Sequence, residues 1–435
     1  MKMKRTILWL VVLVLSSTAS AGELTLREAL DLAREHSYEL KKARSQQRAA
    51  LSSVSAAELE RFPTLTLEGR AWAVDDLPSF EIDIPLGPTF EKRLGSERSY
   101  QIDATLNVPL YTGGRIDGTI DQAMALARMR EAVVRAESDR LCLSVRLNYY
   151  SLARADNMLT AAEASLDRAN IVAGNVRALF EAGAADSVDL LEADLAFSEA
   201  SFARSRAEIE RRKAEISLQL LLGIDPGDGL LLADIPIPPE TMPGGVPTTE
   251  GKPELAAAAA GIEAQRSAIG LRRSEYLPSI SLFGGYSTGK PNRDMFNDET
   301  DDFFKVGAGL RWSFNLGNQS GQRVKAARLE LEAQQHDRDR IARTLDEAAR
   351  LALEQLRLAH QEYLSARRRF ELTSRNYRLA EKRHAEGDIS TNRLLEIEKS
   401  LTNTQAALAA ASAAYHIRYS GWLYATGSEE LEKGR

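Results

Sequence analysis

Two stretches of this chain alternate apolar and polar positions with a period of two, from Tyr100 to Leu110 and from Phe304 to Phe314. Each is about eleven residues long, which is the length of a transmembrane β-strand. Weaker strand patterns precede them, from Thr64 to Val74 and from Ser279 to Ser287. We therefore predict four strands that form two hairpins.

Polar loops join the strands of each predicted hairpin, at residues 75–98 and 289–302. The second loop is rich in Asp and Asn, which fits an exterior surface. Phe62-Pro63-Thr64 resembles Leu277-Pro278-Ser279 at an offset of 215, whereas the segments farther along the chain match at an offset of 204. The first hairpin is therefore 11 residues longer, and we assign the extra residues to its loop.

Two proline-free windows predict long helices. All 14 prolines lie outside residues 110–225 and 292–435, and proline is the strongest helix breaker. Both windows are rich in Ala, Leu, Glu, Arg and Gln, which lose least in a helix. Gly183 and Gly387 lie near the middle of the windows, so we interpret each window as a helical hairpin that turns there. A rod from Arg115 to Ala182 would span roughly 100 Å at 1.5 Å per residue.

Helices of that length need partners along their surface. In the last limb, apolar and small residues follow alternating steps of three and four, as in the seam of a coiled coil. These residues are Leu394, Ile397, Leu401, Thr404, Leu408, Ala411 and Tyr415. An ordinary coiled coil explains the same pattern, and we expect local coiled-coil packing in either case.

The chain also repeats itself. Gly113, Gly183 and Gly223 each recur as glycine 204 positions later, and the register holds without a gap from Gly113 to Gly223. Two equal rods explain this better than two globular domains, whose loops would drift in length. The predicted organisation is a signal peptide at 1–21, a first repeat at 22–223 with strand hairpin 64–110 and helical hairpin 115–223, a proline-rich linker at 224–252, a second repeat at 253–427 with strand hairpin 279–314 and helical hairpin 320–427, and a short polar tail at 428–435.

The first 21 residues have the pattern of a secretory signal, with a basic start, a nine-residue apolar run from Ile7 to Leu15 and the small residues Ala19-Ser20-Ala21. An N-terminal membrane anchor is the alternative. Removing the signal takes the formal charge from −6 to −9, which argues against a nucleic-acid partner. Cys142 is the one cysteine, so neither an intrachain disulfide nor a thiolate metal cluster is expected.

Four strands cannot close a barrel alone. An open sheet edge leaves unpaired backbone groups that find no water in lipid, and about eight strands make the smallest membrane barrel. If these strands enter a membrane, the chain must oligomerise. The five histidines show no ligand spacing, and no GxSxG, HExxH or P-loop motif occurs. We therefore predict that the protein is not an enzyme and uses no cofactor.

The order of these elements resembles the TolC family of outer-membrane efflux channels. The marks that carry the resemblance are Leu24-Thr25-Leu26-Arg27-Glu28-Ala29-Leu30, Phe62-Pro63-Thr64-Leu65, Val108-Pro109-Leu110-Tyr111-Thr112-Gly113-Gly114-Arg115 and Ala182-Gly183 with Asp189-Leu190-Leu191-Glu192-Ala193. They cover essentially the whole mature chain. Each motif alone is weak, but the ordered set is specific.

The resemblance implies a mixed, mainly α fold, in which duplicated helical hairpins build an α-helical barrel. It also implies a homotrimer in the outer membrane that shares a twelve-stranded β-barrel and extends into the periplasm. Such a channel exports small molecules or proteins as the exit duct of a tripartite efflux or type I secretion system. Its expected partners are outer-membrane lipid, a periplasmic adaptor protein and, through the adaptor, an inner-membrane pump. The alternative from another class is a soluble periplasmic coiled-coil scaffold.

The hairpin turns are the expected docking sites for the adaptor, and the tip of the second hairpin is the expected gate. The docking residues implied are Gly183, Ala184, Ala185, Gly387, Asp388 and Ile389. The resemblance places the family's gate positions at His384, Ile389, Arg393 and Glu396, of which Glu396 alone keeps its charge, and Asp189 matches an acidic position after the first turn. His384 and Ile389 have an equal alternative, in which they merely pack the tip.

Overall fold

The computed structural model describes residues 23–82, 85, 87, 90–225, 229–233, 235–242, 248–293, 299–313 and 316–433. The predicted signal peptide at 1–21 lies outside the described residues. Among the residues that the structure describes, no helix is both long enough and apolar enough to cross a membrane.

Most of the described chain is helical, and its four long helices repeat at one offset. Helices α3 and α6 are both 67 residues long, and α4 and α7 are both 36 residues long. Helix α6 begins and ends 204 positions after α3, and α7 begins and ends 204 positions after α4. The helices are α1 (Leu26–His36), α2 (Tyr38–Leu59), α3 (Arg115–Glu181), α4 (Ser187–Leu222), α5 (Pro253–Ser274), α6 (Gln319–Ala385) and α7 (Thr391–Thr426), followed by the 3-10 turn Glu429–Leu431.

Two helices, and not one continuous helix, precede the first strand. Thr25 and Glu28 form a reciprocal capping box that starts α1. Ser37 then ends α1, since its ψ of 117° takes the backbone out of the helical region while its N–H still bonds the Ala33 carbonyl. Helix α2 starts afresh at Tyr38. The break has a local cause in one residue's backbone.

The described residues form six strands, two more than expected. They are β1 (Thr64–Ala73), β2 (Ser79–Ile82), β3 (Phe90–Arg93), β4 (Arg98–Tyr111), β5 (Ser279–Lys290) and β6 (Asp301–Arg311). One antiparallel sheet has the order β1-β4-β5-β6, and β2 pairs with β3 in a separate ribbon. The ribbon lies within the segment 75–98 that we predicted as a loop. The last strand ends at Arg311, and Phe314 lies outside the described residues.

Side chains of like polarity line up across the four-stranded sheet. One row runs Leu65, Leu106, Gly284 and Val306, and the next row runs Thr66, Thr105, Gly285 and Lys305. Because successive residues of a strand point to opposite faces, these neighbouring rows belong to different faces. The sheet therefore has one mainly apolar face and one mainly polar face.

Phe283 is a large apolar residue on the polar face. Its ring lies over Gly307, where a Cβ atom would come within 2.7 Å of the ring. Gly307 is thus required by the close approach of an aromatic ring from the neighbouring strand. Because Gly307 has no side chain, the Phe283 ring can lie directly against its backbone.

The described chain forms two compact units, each built from segments of both repeats. The first combines residues 1–37, 139–247 and 349–435, and the second combines residues 38–138 and 248–348. The core of the first unit joins α1, α3, α4 and α7 around Leu30, Leu152, Leu218 and Leu423. The second unit contains the strands, and a small core there joins Ala57 of α2 to Ile116 and Ile120 of α3.

The segment expected as a polar tail is packed into the first unit. Leu431 is fully buried in the core. Arg146 of α3, also fully buried, donates hydrogen bonds to the carbonyls of Glu430, Leu431 and Lys433. Those backbone oxygens compensate the burial of the guanidinium. Residues 434 and 435 lie outside the described part of the chain.

Part of the predicted linker is also held by the first unit. Leu24 and Leu232 form a parallel bridge. His416 donates from Nε2 to the Pro236 carbonyl at 2.8 Å, and His360 does the same to the Pro239 carbonyl. Burial lowers the pKa of His416, which favours the neutral ring. The described part of this linker therefore packs as an ordered strap.

Candidate functional site: the helix tips and the strand sheet

The two helical hairpins turn in the same way. Gly183 and Gly387 have φ values of +76° and +80°, where glycine alone is unstrained. Backbone hydrogen bonds close the end of the helix before each glycine. The N–H of Ala184 donates to the Leu179 carbonyl, and the N–H of Asp388 donates to the Arg383 carbonyl. Apart from each glycine and its two chain neighbours, no atom of the described residues lies within 4 Å of the position that a Cβ atom would take. The tips are therefore open surface on a fixed turn.

A side-chain cap restarts the helix after each turn. Asp186 caps α4 through hydrogen bonds from the backbone N–H groups of Val188 and Asp189. Its repeat mate Ser390 caps α7 through the N–H of Arg393. Both caps are of the type that Asp and Ser favour at a helix start. The spacing between the left-handed glycine and the cap is three residues in both tips.

The predicted docking residues lie at these turns. Gly183, Ala184, Gly387 and Asp388 are exposed, and Ala185 and Ile389 are partly buried. Asp388 also lies 3.8 Å from Arg383, its charged neighbour across the turn. The tips thus offer a small-residue surface with one carboxylate. Their role as docking sites stays a prediction.

Ile389 also packs inward. It contacts a buried cluster drawn from all four long helices, which includes Val176, Ala193, Ala380 and Leu394. His384 lies next to α7, with its Nε2 atom 3.3 Å from the Thr391 hydroxyl. Both residues therefore make contacts within the tip of the single chain, and their role at a gate stays a prediction.

Two charged gate candidates pair with each other. Arg393 donates to Glu396 at 2.7 Å, and both side chains are largely exposed. Asp189 lies in the first turn of α4, partly buried, and its backbone N–H is capped by Asp186. Of the two candidate carboxylates, Asp189 lies in the first helical turn of α4 and Glu396 lies in the second turn of α7. On α7 that carboxylate is neutralised locally by Arg393.

Sequence reasoning missed a buried charge pair behind the tips. Glu398 of α7 is 11 % exposed and accepts bonds from Arg168 at 3.0 Å and from Ser165 at 3.0 Å. Arg168 also lies 5.8 Å from the ring of Tyr377, a cation–π contact, and burial raises the pKa of that phenol. The sequence did contain a signal for this pair. Glu398 lies directly after Ile397 of the predicted coiled-coil seam, and a carboxylate buried there needs a partner.

Breaking this pair should destabilise the tips strongly. Arg168→Met leaves the buried Glu398 carboxylate without its cation, which costs about 3–5 kcal/mol for a buried pair. Arg177→Met is the matched control, because it removes an exposed pair with Asp194 on the same helix and should cost less than about 1 kcal/mol. Thermal unfolding of the two variants measures the difference. Equal melting temperatures would contradict a buried, obligatory pair.

The strand sheet is unusual for one chain in two ways. Its apolar face is open, with Leu65, Leu67, Val306 and Leu310 between 62 % and 77 % exposed. Its outer strands, β1 and β6, each pair on one side within the sheet. A contiguous exposed apolar face marks an interaction surface, and an unpaired edge is a site for adding another strand.

Comparison with known proteins finds a matching family and similar structures. A family model described as outer membrane efflux protein matches residues 29–224 and 248–427. In structure the chain is similar to the Campylobacter jejuni CmeC outer membrane channel, with a TM-score of 0.73 and 17 % identity over 94 % of this chain and 89 % of that chain. It is also similar to the open state of the Neisseria gonorrhoeae MtrE outer membrane channel, with a TM-score of 0.75 and 18 % identity over 93 % of this chain and 89 % of that chain.

A curated relative matches at the level of sequence. Protein CyaE of Bordetella pertussis is 25 % identical over 328 residues, which are 72 % of this chain and 65 % of CyaE. The chain therefore matches slightly less than two thirds of the length of that relative.

The fold likenesses define a class with long helices and a four-stranded antiparallel sheet, as predicted. The family model covers most of the chain, so the chain belongs to the outer membrane efflux protein family. This confirms the resemblance to the TolC family. The predicted class, an outer-membrane efflux channel that is not an enzyme, agrees with the description of that family.

Proposed function

We propose that three copies of this chain form one channel, with a shared twelve-stranded barrel in the outer membrane and a helical tunnel in the periplasm. The observation that carries the proposal is the four-stranded sheet with an open apolar face and two open edges. Lipid satisfies the apolar face, and neighbouring copies satisfy the edges. Three copies of four strands exceed the minimum for a membrane barrel.

The channel's partners follow from the tips. An adaptor's helical hairpin docks on the turns at Gly183 and Gly387, and an inner-membrane pump delivers cargo through the adaptor. The support is the pair of open, small-residue turns on rigid helices. The similarity to CyaE and the family match are consistent with an exit duct for efflux or for type I secretion.

Fractionation tests this function against the scaffold alternative. The mature protein should be recovered from outer membranes with detergent, and a strain without it should retain the pump's cargo. A soluble periplasmic pool as the main form would contradict the proposal. Deleting the two strand hairpins, 64–110 and 279–314, should move the protein from the membrane to that pool.

Charged rings at the helix tips should set conductance. Three-fold symmetry turns Glu396 into a ring of three carboxylates, and Asp189 into a second candidate ring, which favour cations in a narrow passage. Arg393 partly cancels the first ring through its 2.7 Å contact. In planar-bilayer recordings, Glu396→Gln should lower cation preference, whereas Arg393→Ala should raise both conductance and cation preference.

The control for the recordings is Lys213→Ala. Lys213 makes an exposed pair with Glu210 at 2.9 Å, with the same three-residue spacing but far along α4 from the turn. It should leave conductance unchanged. If Glu396→Gln and Arg393→Ala also leave conductance and selectivity unchanged, other residues form the constriction.

A further inference from the structure

A cleft of about 630 Å³ lies in the first unit, between the proline-rich linker and three long helices. We call residues 229–233 and 235–242 of the linker the strap. The strap forms one wall of the cleft, and α3, α6 and α7 form the other. The cleft has room because these helices present the small residues Ala153, Ala409 and Ala413 to it. Sites for small molecules typically have volumes of roughly 300–1,000 Å³.

The strap is a fixed wall. His416 donates from Nε2 to the Pro236 carbonyl at 2.8 Å, and His360 donates to the Pro239 carbonyl at 2.8 Å. Pro236, Pro238 and Pro239 lie within four successive residues, and each proline ring fixes its own φ. A wall that is already ordered costs a ligand little conformational entropy, which favours binding.

Apolar surfaces face the cleft from two sides. The strap contributes Ile235, Pro236 and Pro238, and α6 contributes Tyr363 and Phe370, which lie seven positions apart on one face of the helix. Proline and aromatic side chains present flat apolar surfaces, and the rings of a ligand pack well against such surfaces. The cleft therefore suits a flat apolar group.

Four polar side chains that line the cleft have no partner within the described part of the chain. They are Arg154 and Asn157 of α3, and Gln405 and Ser412 of α7. The side chains of these four residues make neither a hydrogen bond nor an ion pair with another described residue. Gln405 and Ser412 are partly buried. A few polar groups of this kind, set among apolar ones, fix the orientation of a bound small molecule.

Two of the three charged side chains in the cleft are already paired. Asp156 accepts from Arg211 at 2.6 Å. Arg367 donates to Glu240 of the strap at 3.2 Å, and the Glu240 side chain is 78 % exposed. These two pairs leave the charge of Arg154 uncompensated.

Arg154 has no carboxylate of its own. Lys213 has the largest effect on the pKa of Glu210, which it lowers through their ion pair, and Arg154 adds a smaller effect on the same group. Arg154 itself is exposed. Its guanidinium has a planar fork of donors that matches an acidic group of a ligand.

We propose that this cleft binds an aromatic organic anion. The rings of the ligand pack against Pro236, Pro238 and Phe370, and its acidic group binds Arg154. One flat apolar body and one negative charge match the groups that the chain leaves without partners. The site is built by a single chain, so the inference goes beyond the proposed channel and does not depend on its assembly.

Binding of naphthalene-2-sulfonate to the full-length channel in lipid nanodiscs tests the proposal. Equilibrium dialysis should show saturable binding of one molecule per chain, beyond the uptake of empty nanodiscs. 2-Naphthylmethylammonium carries a positive charge on the same rings, and methanesulfonate carries the acidic group without the rings. Both should bind at least about tenfold more weakly, because each lacks one half of the match.

Two variants examine the acidic half of the site. Arg154→Gln should weaken binding of naphthalene-2-sulfonate by about tenfold or more, since it removes a hydrogen bond between charged groups. Glu240→Gln should tighten binding, because it removes a carboxylate that competes for Arg367. Arg206→Gln is the matched control and should bind normally. Arg206 is an exposed arginine that also acts on Glu210, but it does not line the cleft.

Three results would overturn the site. They are equal binding of the anionic and the cationic probe, normal binding by Arg154→Gln, and no saturable binding to the intact channel. The last result would also be seen if a neighbouring copy filled the cleft. Thermal unfolding shows whether each variant is folded. The number of chains per particle is measured separately, so failure of this site would leave the proposed channel unaffected.

Discussion

Tryptophan in place of Gly183 or Gly387 should abolish export while trimers still reach the outer membrane. Both glycines have positive φ, which a bulky residue adopts only at a cost of roughly 1–2 kcal/mol. The surrounding space is open, so the added ring projects from the tip and does not disturb the core. It would occupy the surface that we propose as the docking site of the adaptor's hairpin. Export assays and the trimer fraction in isolated membranes measure the two parts of the prediction.

Two controls separate bulk at the tip from strain and from bulk elsewhere. Gly183→Asn tolerates the left-handed backbone with a small side chain and should retain most export. Gly174→Trp adds the same ring within α3, where a side chain also meets open space, and should leave export near normal. Normal export by both tip variants would show that the adaptor docks elsewhere.

Arginine in place of Leu106 should impair assembly far more than a charge at the adjacent Thr105. Leu106 lies in the apolar row with Leu65 and Val306, whereas Thr105 lies in the polar row with Thr66 and Lys305. Lipid-facing arginine near the midplane costs about 2–4 kcal/mol per copy. A lumen-facing charge at Thr105 stays in water and should cost much less.

The assembly yields of Leu106→Arg, Thr105→Asp and Thr105→Arg measure this difference. The two arginine variants carry the same side chain at neighbouring positions, so they isolate the face of the sheet from the chemistry of the residue. Leu310→Arg on β6 should repeat the result of Leu106→Arg. Equal yields at positions 105 and 106 would contradict the orientation of the sheet.

The long helices could be predicted from sequence because their signals are local and redundant. Proline-free windows, helix-favouring composition and the glycine spacing all indicate the same turns, and α3 ends at Glu181, one residue before the expected limit. The strand faces could be predicted as well, since a period of two fixes which side chains share a face. In both cases one element's own residues contain the information.

The remaining features depend on contacts between distant segments. The ribbon of β2 and β3 lies in a segment without clear alternation, so its pairing was not visible in either strand alone. Arg168 pairs with Glu398, which lies on another helix 230 positions away. Arg146 binds backbone carbonyls of the C-terminal segment, and every sequence has such carbonyls. The break at Ser37 depends on the ψ angle of this one residue, and a serine in the sequence does not predict that angle.

The sequence predicts which residues are gate candidates, but it does not predict how they are arranged across the channel. The family resemblance, aligned at the turn glycines, implies Asp189, His384, Ile389, Arg393 and Glu396. A charged ring would form only where three copies meet. The sequence can therefore indicate the charge that each copy supplies. The spacing of the ring, which sets its field, is a property of the assembly.

The mass of the intact protein in mild detergent tests the central claim most directly. The four-stranded sheet with open edges requires neighbouring copies, so native mass spectrometry should give three chains per particle together with full β-content by circular dichroism. A stable particle of three chains is the predicted result. A monodisperse single chain that keeps its full β-content in detergent would contradict the account.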